Sequence, residues 1–183
     1  MRRSVMAWLV VGMALVGAAA HAQGNLRLEG SGPRRSALDA MQGKPAPELQ
    51  VARWVNGKAV KLADLKGKVV VLDFWGQWCG PCVASIPHNN ELQKKHRNKG
   101  LVILAVHTPQ SAEGLDSFVK QRGIKYAVAL DASAGGDKGK TGSRYQVDSY
   151  PDYYLIDRKG VLRYADLANS EVDRAIGQLL AEK

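Results

Sequence analysis

Cysteine is nearly absent from this chain: its 183 residues contain only two, Cys79 and Cys82. So small a supply excludes a disulfide-stapled scaffold, and a ring closed over so few positions adds little chain-entropy stabilisation. Long apolar runs are missing too. Past residue 22 no uncharged stretch approaches the ~20 residues that span a bilayer. Acidic side chains are outnumbered, with 17 Asp and Glu against 26 Lys and Arg, for a formal net charge of +9. The basic residues are scattered, as in Lys94-Lys95, Lys138, Lys140 and Arg158-Lys159, with no aromatic-interleaved stripe. They read as solvated faces and exclude nucleic acid as a partner.

The one extended uncharged run lies at the start. Arg2 and Arg3 precede Val5 to Ala20, and Ala20-His21-Ala22 follows. A positive start, an apolar stretch too short to span and an A-x-A site form a signal-peptide pattern. Residues 1–22 are therefore expected to be cleaved, leaving a soluble periplasmic or otherwise extracytoplasmic protein. An uncleaved membrane-anchored form is the alternative. Residues 23–44 are rich in Gly, Ser, Arg and Pro without a sustained apolar period, and predict a flexible lead-in. The remaining stretch, 45–183, about 140 residues, suits one domain with its own core and no need of a staple.

Within that domain, Val69 to Trp75 is apolar except for Asp73, the pattern of a central strand buried on both faces. Leu101 to Thr108 reads as a second buried strand and Tyr126 to Leu130 as a shorter one. Asn56-Gly57 predicts a hairpin returning through Lys58 to Val60. Asp152 to Asp157 and Val161 to Tyr164 predict another around Arg158-Lys159-Gly160. A helix is expected from Cys79 or Gly80 toward Asn98, bent at Pro87. Another is expected to be capped by Ser111, with Leu115, Phe118 and Val119 inward, and a last one capped by Ser170, with Val172, Ile176 and Leu179 inward. Strands alternating with helices and ending in an antiparallel hairpin imply an α/β fold with a mixed central sheet flanked by helices, here with an N-terminal hairpin extension.

Cys79 and Cys82 sit at C-x-x-C spacing where a buried strand gives way to a helix. Two thiols so placed can close and reopen a small disulfide ring, which is redox chemistry rather than stapling. The unpaired N–H groups and partial positive charge of the helix N-terminus stabilise a thiolate there, so Cys79 is the expected nucleophile and Cys82, one turn on, the resolving thiol. Gly80 clears space for an incoming chain, and Pro81 gives up an N–H that the first turn leaves unpaired anyway. Asp73 costs several kcal/mol if ionised and unpaired in a buried strand. Its pKa is therefore expected to rise, which makes it a candidate proton carrier. A solvent-facing Asp73 is the competing reading.

These residues resemble the thioredoxin superfamily, and specifically its exported TlpA/ResA-type thiol:disulfide oxidoreductases, over roughly Gly43 to Lys183. The resemblance rests on Gly43-Lys-Pro-Ala-Pro47, Leu65-Lys-Gly-Lys68, Phe74-Trp75 with Trp78-Cys-Gly-Pro-Cys82, Pro87, Tyr150-Pro151 ahead of Tyr154-Leu-Ile-Asp157, and Lys159-Gly160. It implies a cis Pro151 facing the cysteines, with Tyr150 offering its backbone to an extended substrate segment alongside Trp78, Gly80 and Pro81. It also implies protein disulfides as substrates, a membrane thiol carrier as electron donor, frequent service in cytochrome c maturation, a monomer, and no cofactor beyond the Cys79–Cys82 disulfide. Two departures stand out. Ser85 occupies the place of an acidic residue usual in TlpA-type proteins, and Ala105 that of the strand lysine of cytosolic thioredoxins.

Three other readings compete. A copper or other metal chaperone would add His88, His96 or His107 to the two thiols, which alone make half a tetrahedral site. A thiol peroxidase resembles this fold, but peroxiredoxins carry a Thr two residues before the attacking Cys, where this chain has Gln77. Ala134 to Thr141 matches a loose phosphate-binding loop, but Tyr150-Pro151 cuts short the long helix that such a loop requires.

Overall fold

The computed structural model describes residues 26–182. Its organising element is the strand Val69–Trp75 (β2), in which every residue is buried. A strand covered on both faces sends alternate side chains into two separate cores. Val69, Val71 and Trp75 join Cys82, Ile86 and Leu92 of the helix Gly80–His96 (α2), and Ile176 and Leu179 of the helix Val172–Ala181 (α5). Val70, Leu72 and Phe74 face the other way, toward Leu38, Leu62, Tyr145 and Tyr154.

The other elements, in chain order, are α1 (Gly32–Met41), β1 (Val51–Asn56), β3 (Leu101–His107), α3 (Leu115–Gln121), β4 (Ala127–Asp131), the two short strands β5 (Ser133–Gly135) and β6 (Lys138–Gly139), α4 (Lys140–Arg144), β7 (Asp152–Ile156) and β8 (Leu162–Leu167). Six strands form one sheet in the order β1-β4-β3-β2-β7-β8. The middle three, β4, β3 and β2, run parallel. The edge pairs β1–β4, β2–β7 and β7–β8 are antiparallel. This is the expected mixed α/β sheet flanked by helices, and α2 runs through Pro87 without ending there.

Three local expectations give way. Asn56-Gly57 makes no hairpin: residues 58–60 form no strand, and β1 pairs instead with β4, Val51 opposite Asp131 and Asn56 opposite Val128. The reason lies in the Asn56 side chain, whose Nδ2 donates to the carbonyls of Ile124 and Tyr126 at 3.0 and 2.8 Å and pins the strand end to the entrance of β4. Ser111 does not cap α3; it has a positive φ of 49°, and Gly114 occupies the cap position. Ser170 lies in a short 3-10 turn ahead of α5, whose cap position is Glu171.

The expected flexible lead-in is the largest correction, because residues 32–41 form α1. No local period announces this helix; tertiary contacts hold it. Leu38 is fully buried, and Arg35 donates to the carbonyls of Glu29 and Ala165. The flanking chain makes bridges from Leu28 to Leu167 and from Pro45 to Val161, so 28–45 runs along β8. The expected signal peptide, 1–22, lies outside the described residues. Among the described residues no helix is long and apolar enough to cross a membrane.

Candidate redox site

At the end of β2 the chain turns through Gly76-Gln77-Trp78 into α2. Cys79 is the N-cap residue of that helix, and its Sγ accepts from the Cys82 N–H at 3.3 Å. The two cysteines are joined in a disulfide with Cα atoms 5.3 Å apart, and both are buried. Beside them the surface is open. A Cβ on Gly80 would meet nothing within 4 Å, and Pro81 is exposed. Trp78 is 50% exposed, the one large hydrophobic side chain so placed among the described residues. Such an apolar face beside a reactive bond suits a chain that docks and leaves.

The loop that carries Trp78 and Cys79 is held from three sides. A Cβ on Gly76 would lie 2.8 Å from the Trp78 ring, so only glycine lets the indole fold back over the turn. Gln77 Nε2 donates to the carbonyls of Ser111 and Glu113, both at 2.8 Å. The Gln77 N–H donates to Nε2 of His107 at 2.9 Å. That nitrogen must therefore be unprotonated, and Nδ1 carries the proton toward the Thr108 carbonyl. Burial holds the His107 pKa down at about 4, so the ring is a neutral acceptor. The sequence offered His107 as a metal ligand; the fold commits it to the loop.

The Tyr150–Pro151 peptide is cis. Because Phe74 pairs with Asp152 across β2 and β7, Pro151 lies at the end of the sheet where β2 hands the chain to Cys79. The Tyr150 ring meets Trp78 edge-on with centroids 5.7 Å apart. The fold thus gathers Trp78, Cys79, Gly80, Pro81, Cys82, Tyr150 and Pro151 at one end of the sheet.

Asp73 lies on the α2 side of the sheet, opposite Ala105 on β3 and Tyr153 on β7. It is 4% exposed, which excludes the solvent-facing reading. Its Oδ2 accepts from Asn89 Nδ2 at 3.0 Å, and its Oδ1 has no partner. Burial pushes the carboxyl up to about 7, with the Asn89 hydrogen bond opposing it. Asn89 also interacts with the phenols of Tyr126 and Tyr153, and Tyr153 with Ser85. Sequence reasoning missed this polar group. One signal was present: Asn89 stands seven residues past Cys82, two helical turns along the same inward face.

The competing sites fare differently. His88 pairs with Asp173 on α5 at 2.8 Å, and among the described residues no three His, Cys, Asp or Glu side chains come together to hold a metal. In the glycine-rich loop the N–H groups of Thr141 and Gly142 donate to the Asp131 carboxylate at 2.9 and 2.8 Å. An acid already occupies the place where a phosphate would sit.

Comparison with known proteins agrees with this arrangement. The Redoxin family model matches residues 41–179. Curated relatives include the thiol-disulfide oxidoreductases ResA of Bacillus cereus, 40% identical over 118 residues, and of Bacillus subtilis, 34% identical over 119. Those alignments cover 64% and 65% of this chain and 65% and 63% of the relatives, so the chain spans somewhat under two thirds of their length. Among solved structures, a thioredoxin-like superfamily protein at 30% identity superposes with a TM-score of 0.67 over 76% of this chain and 97% of the other. A thiol-disulfide isomerase from Corynebacterium glutamicum, 28% identical, superposes with a TM-score of 0.68 over 77% and 99%. With the six-stranded mixed sheet and the Cys79–Cys82 pair at the head of α2, these likenesses place the chain in the Redoxin family of the thioredoxin superfamily, among its ResA/TlpA-type members.

Proposed function

We propose that the protein is an extracytoplasmic thiol:disulfide oxidoreductase that reduces protein disulfides through Cys79 and Cys82. The observation that carries this reading is the closed Cys79–Cys82 ring at the N-terminus of a 17-residue helix, next to the open Trp78 and Tyr150 face. Once the ring is reduced, the Cys79 thiolate attacks one sulfur of a substrate disulfide. A mixed disulfide forms and the first substrate sulfur leaves as thiolate. Cys82 then gives up its proton and attacks Cys79 Sγ, which releases the second substrate sulfur and closes the ring. Two electrons pass to the substrate, and a membrane thiol carrier restores the dithiol. No cofactor beyond the two sulfurs takes part, and Asp73 is the group proposed to receive the Cys82 proton. Service in cytochrome c maturation and action as a monomer belong to the same reading.

The test is insulin reduction with dithiothreitol as electron source. Cys79→Ser is expected to abolish turnover, and Cys82→Ser to accumulate mixed disulfides visible on a non-reducing gel. Wild-type turnover by Cys79→Ser would overturn the assignment of the nucleophile.

A further inference from the structure

We propose that Arg34, on the helix that precedes the family's matched region, is a positioning residue for the substrate-facing Tyr150–Pro151 segment, which it holds by bridging Asp152 and Asp166. The inference rests on the proposed role of that segment.

The geometry is a single guanidinium shared among three elements. Arg34 reaches from α1 and donates through Nη1 to Asp166 Oδ2 on β8 and through Nη2 to Asp152 Oδ2 on β7, the latter at 3.4 Å. Its Nε donates to the Gln146 carbonyl at 2.9 Å and lies 3.1 Å from Asp148 Oδ2, so the segment that leads into Tyr150 is held as well. Both strand carboxylates are buried, with Asp152 side-chain exposure at 0% and Asp166 at 4%. Asp152 directly follows Pro151. The Tyr154 hydroxyl contacts the same Asp152 oxygen at 3.1 Å and donates to the Tyr145 carbonyl at 2.6 Å. The chain on both sides of Tyr150–Pro151, Gln146 to Asp148 before it and Asp152 after it, is thus held by one planar donor fork, while the Tyr150 ring meets Trp78.

Two buried acids side by side require one cation and one proton. Burial and the neighbouring Asp166 push the Asp152 carboxyl up to about 9, so it keeps a proton at neutral pH and one guanidinium balances the pair. Asp166 has a left-handed φ of 56°, a conformation that non-glycine residues seldom adopt and that its ion pair helps to hold. A lysine would bring the charge and three donors from a single point, but not the planar fork that spreads over both strand carboxylates and the Gln146 carbonyl together. The sequence conceals all of this, because Arg34 lies 118 and 132 positions from its partners.

The experiment compares wild type, Arg34→Ala and Arg34→Lys in the full chain. Both variants are expected to raise KM for insulin at least five-fold with kcat changed less than two-fold, Lys rescuing only part of the loss. In the reduced proteins, the rate of Cys79 alkylation by iodoacetamide is expected to stay within two-fold of wild type. Independently of turnover, amide hydrogen exchange of the oxidised proteins is expected to speed up over 148–153 and stay unchanged in β3. Unchanged KM and exchange in Arg34→Ala overturn the proposal. So does full rescue by lysine, or failure of both variants to fold, since either makes the contact one of charge or stability alone. Absence of insulin reduction by the wild type would instead sink the functional reading, while the exchange data still decide the role of Arg34.

Discussion

Asp73 and His107 stand on neighbouring strands, and burial moves both pKa values toward the neutral form, with opposite consequences for stability. Asp73 is raised from 3.8 to about 7, so the folded chain keeps a proton that the unfolded chain loses. Its contribution is fully present below pH ~4 and is lost as pH rises to about 7. His107 is lowered from 6.5 to about 4, so the unfolded chain takes up the proton first. Its contribution is present above pH ~6.5 and is lost as pH falls toward 4. Asp73→Asn is therefore expected to raise the melting temperature by several degrees at pH 8 and by less at pH 5, as two thermal scans would record. The same variant should slow the resolving attack by Cys82 while leaving Cys79 alkylation nearly intact. Unchanged melting at both pH values together with unchanged turnover would remove Asp73 from the proton path. His107→Phe keeps an aromatic ring against Trp75 but leaves the Gln77 N–H without its acceptor. The expected loss is ~1 kcal/mol, the low end of the cost of an unsatisfied donor because the Gln77 N–H is only partly buried, read from the urea midpoint. Asp73 was legible as an outlier in an apolar strand. The work of His107 was not, because its partner is a backbone N–H thirty positions away.

Among the elements, β2, β3, β7 and α5 lie close to where apolar runs and one inward helical stripe predict them, since burial on both faces or on one stripe dominates local preference. Helix α2 also lies where it is expected, but it carries no such stripe and is announced by the C-x-x-C junction at its head. The elements that differ take their stability from elsewhere. The Asn-Gly turn after β1 encodes a hairpin locally, but a two-stranded ribbon is marginal alone and the edge of β4 offers more. Helix α1 is the clearest case. Leu38, fully buried, packs into the core formed by Leu72, Tyr154 and Leu162. Leu38→Ala is expected to cost ~2–5 kcal/mol, the range for a large buried side chain cut to methyl, checked by chemical denaturation. A loss below ~0.5 kcal/mol, as at an exposed position, would mean that α1 is a detachable lead-in after all.

At the scale of the whole molecule, the sheet order brings two distant turns to one end, that after β2 and that before β7. Because β2 pairs with both β3 and β7, the Cys79–Cys82 ring and Pro151 meet although roughly seventy positions separate them, a juxtaposition no local pattern encodes. The proposed role as a reductant predicts a couple near about −270 mV rather than an oxidising one near about −120 mV. Equilibration of the purified domain with glutathione buffers is expected to give a potential on the reducing side of about −200 mV. A value near that of a strong oxidant would reverse the proposed direction of electron flow.

What the sequence by itself determined was whatever short-range chemistry can specify. The C-x-x-C spacing across a strand-to-helix junction set the reactive pair, the run from Val69 to Trp75 set the central strand, and Asp73 stood out as a charge where only apolar residues belong. Tertiary structure decided everything that depends on partners far along the chain. It gave Asn89 and Tyr153 to Asp73, His107 to the loop of Cys79, Asp131 to the glycine-rich turn, and Arg34 to two buried carboxylates beyond position 150. The physical reason is that a hydrogen bond or ion pair gains its strength from the desolvated place where the fold closes around it. That place does not exist until strands remote in sequence have paired.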